Sequence, residues 1–347
     1  MRALDRREQV PGPRLTSGQE AQVTPAELFR YADGTLDGDP WPLVRELAVS
    51  GDRSAAASVR AALETCTRER NWYGRDLMAH ALAGLSGAAA FPLLLRVFAD
   101  ALRGEDDDDG ERLGMALSAV MRADRDECRA VILPVLADDD PDLRRAALWA
   151  LRDVFEAPDT GVLREALADP DPTIRRTALN SLPSVSNNAQ AYALVVTALQ
   201  DPDSWVRHDA VLLLAWSAPP AAVDHLVPLT SDPAWYVRSV LGEAVGRRAA
   251  NSDRAPAAAA ALRELLANSE PSVRAGAARG LGMLGVSLDA LRSRTDDPDW
   301  WVRAAVAGAL AASVGHWPPA RPLLAQLTDD TNPTVRETAT KALRPFE

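Results

Sequence analysis

The sequence predicts an all-α fold, a right-handed α-α superhelix of about ten helix pairs, from three observations: a recurring phrase, a fixed arginine inside it, and helical spacing of apolar residues around that arginine. The phrase reads DPDLRRAALWAL at 140–151 and returns as DPTIRRTALNSL from Asp171, DSWVRHDAVLLL from Asp203 and AWYVRSVLGEAV from Ala234. EPSVRAGAARGL from Glu270, DWWVRAAVAGAL from Asp299 and NPTVRETATKAL from Asn332 complete the series. Its arginines, Arg144, Arg175, Arg207, Arg238, Arg274, Arg303 and Arg336, are separated by 31, 32, 31, 36, 29 and 33 residues. Earlier copies align on Arg75, Arg112 and, more weakly, Arg45.

Counted from the arginine, offsets −1, +3 and +7 are apolar in most copies and fall on one face of a helix with 3.6 residues per turn. Small residues at +2 and +6, such as Ala146 and Ala150 or Gly276 and Gly280, leave room for a neighbouring helix. The phrase is therefore the second helix, B, of a pair. Its start is written four residues before the arginine, where Asp140, Asp171, Asp203, Glu270, Asp299 and Asn332 stand as N-caps, with proline following in several copies. Segments such as AYALVVTALQ at 191–200 and PAAAAALRELLAN at 256–268 supply the first helix, A. Residues 1–22, rich in arginine, proline and polar side chains, read as a disordered tail, and 23–347 as the repeat domain.

The DPxxxVRxxAxxAL pattern and its period resemble the short HEAT-like repeats of the phycobilin-lyase type over roughly residues 24 to 345. The resemblance implies an inter-repeat polar ladder between the capping aspartates and Arg144, Arg175, Arg207, Arg238, Arg274, Arg303 and Arg336. It implies a fold more than an activity.

Composition narrows the function. The net charge of −11 disfavours nucleic-acid binding over the whole surface, although it permits a local basic patch. Cys66 and Cys128 match no metal-ligand spacing and read as buried thiols of a cytoplasmic protein. The N-terminal segment carries no signal-peptide core, and no run of about 18 apolar residues is expected to cross a membrane. HExxH, Gly-rich phosphate loops and GxSxG elbows are absent, and His80, His208, His225 and His316 are scattered, none followed by Glu. The paired His-Glu steps of HEAT-repeat deoxyhypusine hydroxylases are thus missing. No metal and no cofactor are expected, and a non-catalytic role is preferred to an enzyme, with catalysis left open.

Candidate residues lie on helix B. Offsets +1, +5 and +9 point toward the expected concave surface. They place Arg145 and Trp149 in one repeat, Arg176 and Asn180 in the next, then His208 and Trp216, then Glu243 and Arg247, then Arg279. Aromatic residues gather at the start of helix B, namely Trp41, Trp72, Tyr73, Trp205, Trp235, Tyr236, Trp300 and Trp301, and either close the gap between A and B helices or form a binding ridge. Asp209 breaks the small or apolar pattern at +2; a structural Asp209 pairs with a neighbouring arginine such as Arg175 or Arg238, and a functional one makes it a candidate catalytic residue. In WVRHD and WYGRD, Trp205 and Trp72 stand four residues before Asp209 and Asp76, a spacing similar to that of HEAT-like alkylpurine DNA glycosylases. Two longer intervals, one containing Glu105 to Asp109 and one containing Arg247 to Arg254, read as loops, the first an acidic contact for a basic partner if it is functional.

The preferred expectation is a non-catalytic scaffold that holds a protein or peptide on its concave face between residues 140 and 250. Its alternatives are a HEAT-like DNA glycosylase or nucleic-acid-binding protein using Trp205 and Asp209, and a lyase-like chaperone for a planar ligand.

Overall fold

The computed structural model describes residues 25–104, 110–156, 160–182 and 184–344, so the expected tail at 1–22 and the acidic stretch from Glu105 to Asp109 lie outside the described residues. Twenty α-helices form ten consecutive pairs, with no strand among the described residues. They divide into two compact units, Met1–Val97 with Gly104–Asp124, and Phe98–Arg103 with Arg125–Glu347. The first holds α1 (Pro25–Ala32), α2 (Trp41–Val49), α3 (Arg53–Arg68), α4 (Trp72–Ser86), the start of α5 (Phe91–Leu102) and α6 (Glu111–Ala123). The second pairs α7 (Arg125–Val135) with α8 (Pro141–Val154), α9 (Thr160–Ala166) with α10 (Pro172–Asn180), and α11 (Ala189–Ala198) with α12 (Ser204–Ser217). It continues with α13 (Val223–Leu226) and α14 (Trp235–Ala249), α15 (Ala255–Leu266) and α16 (Pro271–Leu284), α17 (Asp289–Arg292) and α18 (Trp300–Ser313), and α19 (Ala320–Leu327) and α20 (Pro333–Leu343).

In the second unit the B helices stack in one row from α8 to α20. The −1, +3 and +7 side chains drive it: Val206, Ala210 and Leu214, Val273, Ala277 and Leu281, and Val302, Val306 and Leu310 are all buried. Each valine or leucine so buried contributes about 1.5 to 3 kcal/mol. The small residues act as expected, most strongly between α14 and α16. A Cβ on Gly280 would strike the backbone of Gly242, and one on Gly276 the carbonyl oxygen of Ser239. Only glycine permits this approach, because the atoms in the way are backbone and cannot turn aside.

The N-caps form at Asp140, Asp171, Asp203, Asp299 and Asn332, each accepting from the backbone N–H two residues on. Glu270 holds the cap position without a side-chain cap bond. The polar ladder is present, but its acid is not the cap. It is the aspartate two residues earlier, at offset −6. Arg175 donates to Asp201 at 2.8 and 2.7 Å, Arg207 to Asp232 at 2.7 and 2.9 Å, Arg274 to Asp297 at 2.8 and 2.7 Å, and Arg303 to Asp330 at 2.6 and 2.8 Å. Arg144 reaches Asp169 at 3.0 Å. The same guanidinium donates through Nη1 to carbonyls opening its own helix, as Arg207 does to Asp201 at 2.9 Å. Each acid also accepts from the N–H of its own cap residue, as Asp201 does from Asp203. One fork thus ties a turn to itself and to the next repeat.

Two arginines depart from the ladder. Asn268 occupies offset −6 ahead of Arg274, so Arg238 finds no carboxylate, and its Nε is buried without a partner. Arg336, in the last pair, is exposed and among the described residues donates only to the Asp330 and Thr331 carbonyls that open its own helix. The long Arg238–Arg274 interval is also only partly loop, because Arg247 and Arg248 extend the last turn of α14 before Asn251 turns the chain at φ +57°.

One expectation about membranes is corrected. The run Trp72–Leu102 is long and apolar enough to pass a test for a crossing helix. It is nevertheless broken at Gly87, with φ +52°, and more than half of its apolar window is buried within the protein. Cys66 and Cys128 are buried and form no disulfide among the described residues, and burial raises the Cys66 pKa.

Candidate functional site

Along a B helix, offsets −2, +1, +5 and +9 fall on one stripe. On α12 this stripe is Trp205, His208, Leu212 and Trp216; on α14 it is Tyr236, Ser239, Glu243 and Arg247; on α16 it ends in Arg279 and Met283. Two polar and aromatic clusters form on it, one at each end of the helices.

At the N-terminal end, the Trp205 and Tyr236 rings stack at 4.4 Å and 19°, and the His208 ring meets Trp205 edge-on at 5.4 Å. The Tyr236 and Ser204 hydroxyls are hydrogen-bonded. Arg176, from α10, lies over Trp205 with Cζ 5.6 Å from the ring centre and donates through Nε to Asp209 at 2.8 Å. His208 Nδ1 is 3.0 Å from the other Asp209 oxygen, and Asn180 Nδ2 reaches the first at 3.5 Å. Burial pushes the Asp209 pKa up, but the bonds from His208 and Arg176 outweigh it and hold the carboxyl below its usual range. Asp209 is buried yet pairs with Arg176, not with Arg175 or Arg238. The reason is register: offset +2 faces the preceding B helix at its +1 and +5 positions, whereas the ladder arginines point toward the A–B turns. Trp205 stays 47 % exposed although Tyr236 stacks on its ring and Arg176 lies over it.

At the C-terminal end, Trp216 is 68 % exposed. Arg247 lies over it, with Cζ 4.2 Å from the ring centre, and donates to Glu243 at 2.8 Å. Arg279 Nε approaches the other Glu243 oxygen at 3.4 Å. Two guanidiniums therefore share one carboxylate. Arg248 donates to the carbonyl of Ala218 at 2.6 Å, and burial together with the Arg247 charge lowers its pKa.

The α8 candidates belong to neither cluster. Arg145 donates to the Leu102 carbonyl and pairs with Asp142 at 3.4 Å. Trp149 is half-buried against Phe98 at 4.7 Å, with Arg152 over it. The aromatic row does not act as uniform filling. Tyr73, Trp205, Trp235, Trp300 and Trp301 each remain more than two-fifths exposed. Offset −2 rings lie on the stripe, whereas offset −3 rings such as Trp235 and Trp300 lie beside it. In the first unit Asp76 is buried and pairs with Arg75 at 2.7 Å, while Trp41 packs edge-on against His80 at 5.1 Å. Sequence reasoning passed over Ser204, Arg248 and Met283. For Met283 the signal was available at offset +9, whereas the Ser204 bond depends on the neighbouring repeat's Tyr236.

Among the described residues, no group of three or more His, Cys, Asp or Glu is placed to hold a metal.

No curated protein matches the chain by sequence. Among solved structures, the chain is similar to yeast importin-β, Kap95p, with a TM-score of 0.62 and 13% identity over 95% of this chain and 50% of that one. It is also similar to YibA of E. coli, with a TM-score of 0.52 and 14% identity over 75% of this chain and 97% of that one. These likenesses are of fold, and the chain spans about half the length of importin-β. The family model described as HEAT repeats matches residues 160–246 and 258–344, together half of the chain. With its stacked A–B pairs and the arginine held at each B-helix start, the chain belongs to the HEAT-repeat family.

Proposed function

We propose that the chain is a non-catalytic binding scaffold, and that the stripe of its B helices between residues 140 and 250, the concave side in a superhelix of this type, holds a protein partner. The observation that supports this most is the Trp205–Tyr236 stack, whose Trp205 stays 47 % exposed while Arg176, Asp209 and His208 hold it in place. Rigid aromatic rings with an adjacent arginine are the usual anchors of protein contacts, because they bury large area at small entropic cost. The Asp209 carboxylate is engaged at both oxygens, by Arg176 and by His208, which suits a structural base better than a base-excising residue. The fold also suits the reading, since stacked repeats present extended surfaces.

The test is affinity capture with wild type, Trp205→Ala and Arg176→Gln at matched melting temperature, alongside titration with a labelled DNA duplex. A protein captured by wild type and lost from both variants supports the scaffold. A salt-steep affinity for the duplex, dependent on Trp205 and Asp209, overturns it in favour of the nucleic-acid alternative.

A further inference from the structure

The C-terminal cluster has no role in the ladder or in the core. We propose that Trp216, Arg247 and Arg279 form a second subsite on the B-helix stripe that takes an acidic residue flanked by a bulky apolar side chain in an extended peptide. This rests on the scaffold reading and names the chemistry of part of its partner.

Charge is the first argument. Glu243 is the carboxylate these two arginines share: one oxygen accepts from Arg247 at 2.8 Å, and the other lies 3.4 Å from Arg279 Nε. Arg279 approaches through Nε at 3.4 Å, and its side chain is 37 % exposed. A guanidinium offers five donors in a plane and binds a carboxylate through two of them. A second carboxylate therefore fits where Glu243 leaves the fork unfilled. With two arginines to one carboxylate, the subsite carries an excess positive charge in a chain of net charge −11.

Surface chemistry is the second. Trp216 is the most exposed aromatic ring on the stripe, and Met283 adds an exposed thioether at the same offset two B helices along. Arg247 covers one ring face of Trp216 and leaves the rest of the ring to a ligand. On α18 the stripe carries no side chain at offset +5, where a Cβ on Gly308 would meet nothing within 4 Å. Trp216 lies eleven residues beyond Trp205 on α12, roughly 16 Å along the helix, a span that about five extended peptide residues cover. One segment can thus reach both clusters.

The experiment is selection of a random-peptide display library on the full chain, followed by fluorescence anisotropy of the selected peptides. Enriched sequences are expected to pair Asp or Glu with an aromatic or large aliphatic neighbour. Trp216→Ala and Arg279→Gln, both at exposed side chains, should each weaken binding at least tenfold while melting temperature is unchanged, and an Asp→Asn or Glu→Gln peptide should lose as much. The proposal is overturned if no sequences are enriched, if enriched sequences lack an acidic residue, if the two variants bind as wild type does, or if the duplex binds instead in an Arg279-dependent way. Failure of the scaffold reading looks different: there, Trp205→Ala leaves partner capture intact, whatever Trp216 and Arg279 do.

Discussion

Asn268→Asp should stabilise the protein, because it restores the ladder contact missing at Arg238. In the complete contacts the fork donates two bonds to a carboxylate that is nearly or fully buried, Asp297 being 0 % exposed at its side chain. At Arg238 the guanidinium is already positioned by the Asp232 and Pro233 carbonyls, and its Nε is already dehydrated without a partner. The arginine's share of the desolvation cost is thus already incurred in the wild type. Adding the carboxylate gains two charge-assisted bonds, each worth about 1.5 to 3 kcal/mol, against several kcal/mol for dehydrating one carboxylate. The net is about 1 to 2 kcal/mol, or roughly 2 to 6 °C in melting temperature for a unit of this size. The sign of the pH dependence follows from the existing contacts. In Asp297 burial raises the pKa, but the bonds from Arg274 and the Asp299 N–H outweigh it, leaving the folded value depressed. A carboxyl of that kind contributes stability above its unfolded pKa, about 3.9, and loses it as pH falls through the lower folded value. Paired thermal melts of wild type and N268D at pH 7 and across the acid range are the assay. A gain at pH 7 that disappears in acid is expected. No gain at pH 7, or a gain that survives full protonation, refutes the ladder as described.

The same geometry makes further predictions. Arg207→Ala should cost about 3 to 5 kcal/mol because it strands the buried Asp232, whereas Arg238→Ala, which strands no acid, should cost about 1 kcal/mol; urea melts compare them. Gly280→Ala should destabilise by about 2 kcal/mol or more, since its Cβ meets the Gly242 backbone, while Gly308→Ala, with open space around it, should stabilise by about 0.5 to 1 kcal/mol. Asp209→Asn should lower stability by about 1 kcal/mol by weakening the bonds from Arg176 and His208; a melt that rises while partner capture is lost would instead mark Asp209 as a functional charge.

The B helices were legible because each carries its own start, its arginine and its apolar offsets, all local to one phrase. The A helices were less so: α13 and α17 shrink to single turns, since only the B row needs a full helical face to stack. The ladder's acid was misplaced by two residues because caps and ladder acids are both aspartates, and only the fold separates an N-terminal cap from a cross-repeat partner. Asp209 could be recognised as an exception to the pattern, yet its partner Arg176 could not be chosen without the relative rotation of α10 and α12. The stripe positions were readable from offsets alone. Their sorting into two clusters, and the withdrawal of Arg145 and Trp149 into contacts with Leu102 and Phe98, depends on tertiary packing.

The proposed function stands or falls on whether the B-helix stripe receives a protein. Photo-crosslinking from single sites tests it most directly: a photoreactive residue at Leu212 on the stripe, compared with one at Thr197, exposed on the A helix α11. A discrete protein adduct is expected from Leu212, one that disappears on Trp205→Ala and does not form from Thr197. Equal adducts from both positions, or a nucleic-acid adduct from Leu212, would contradict it.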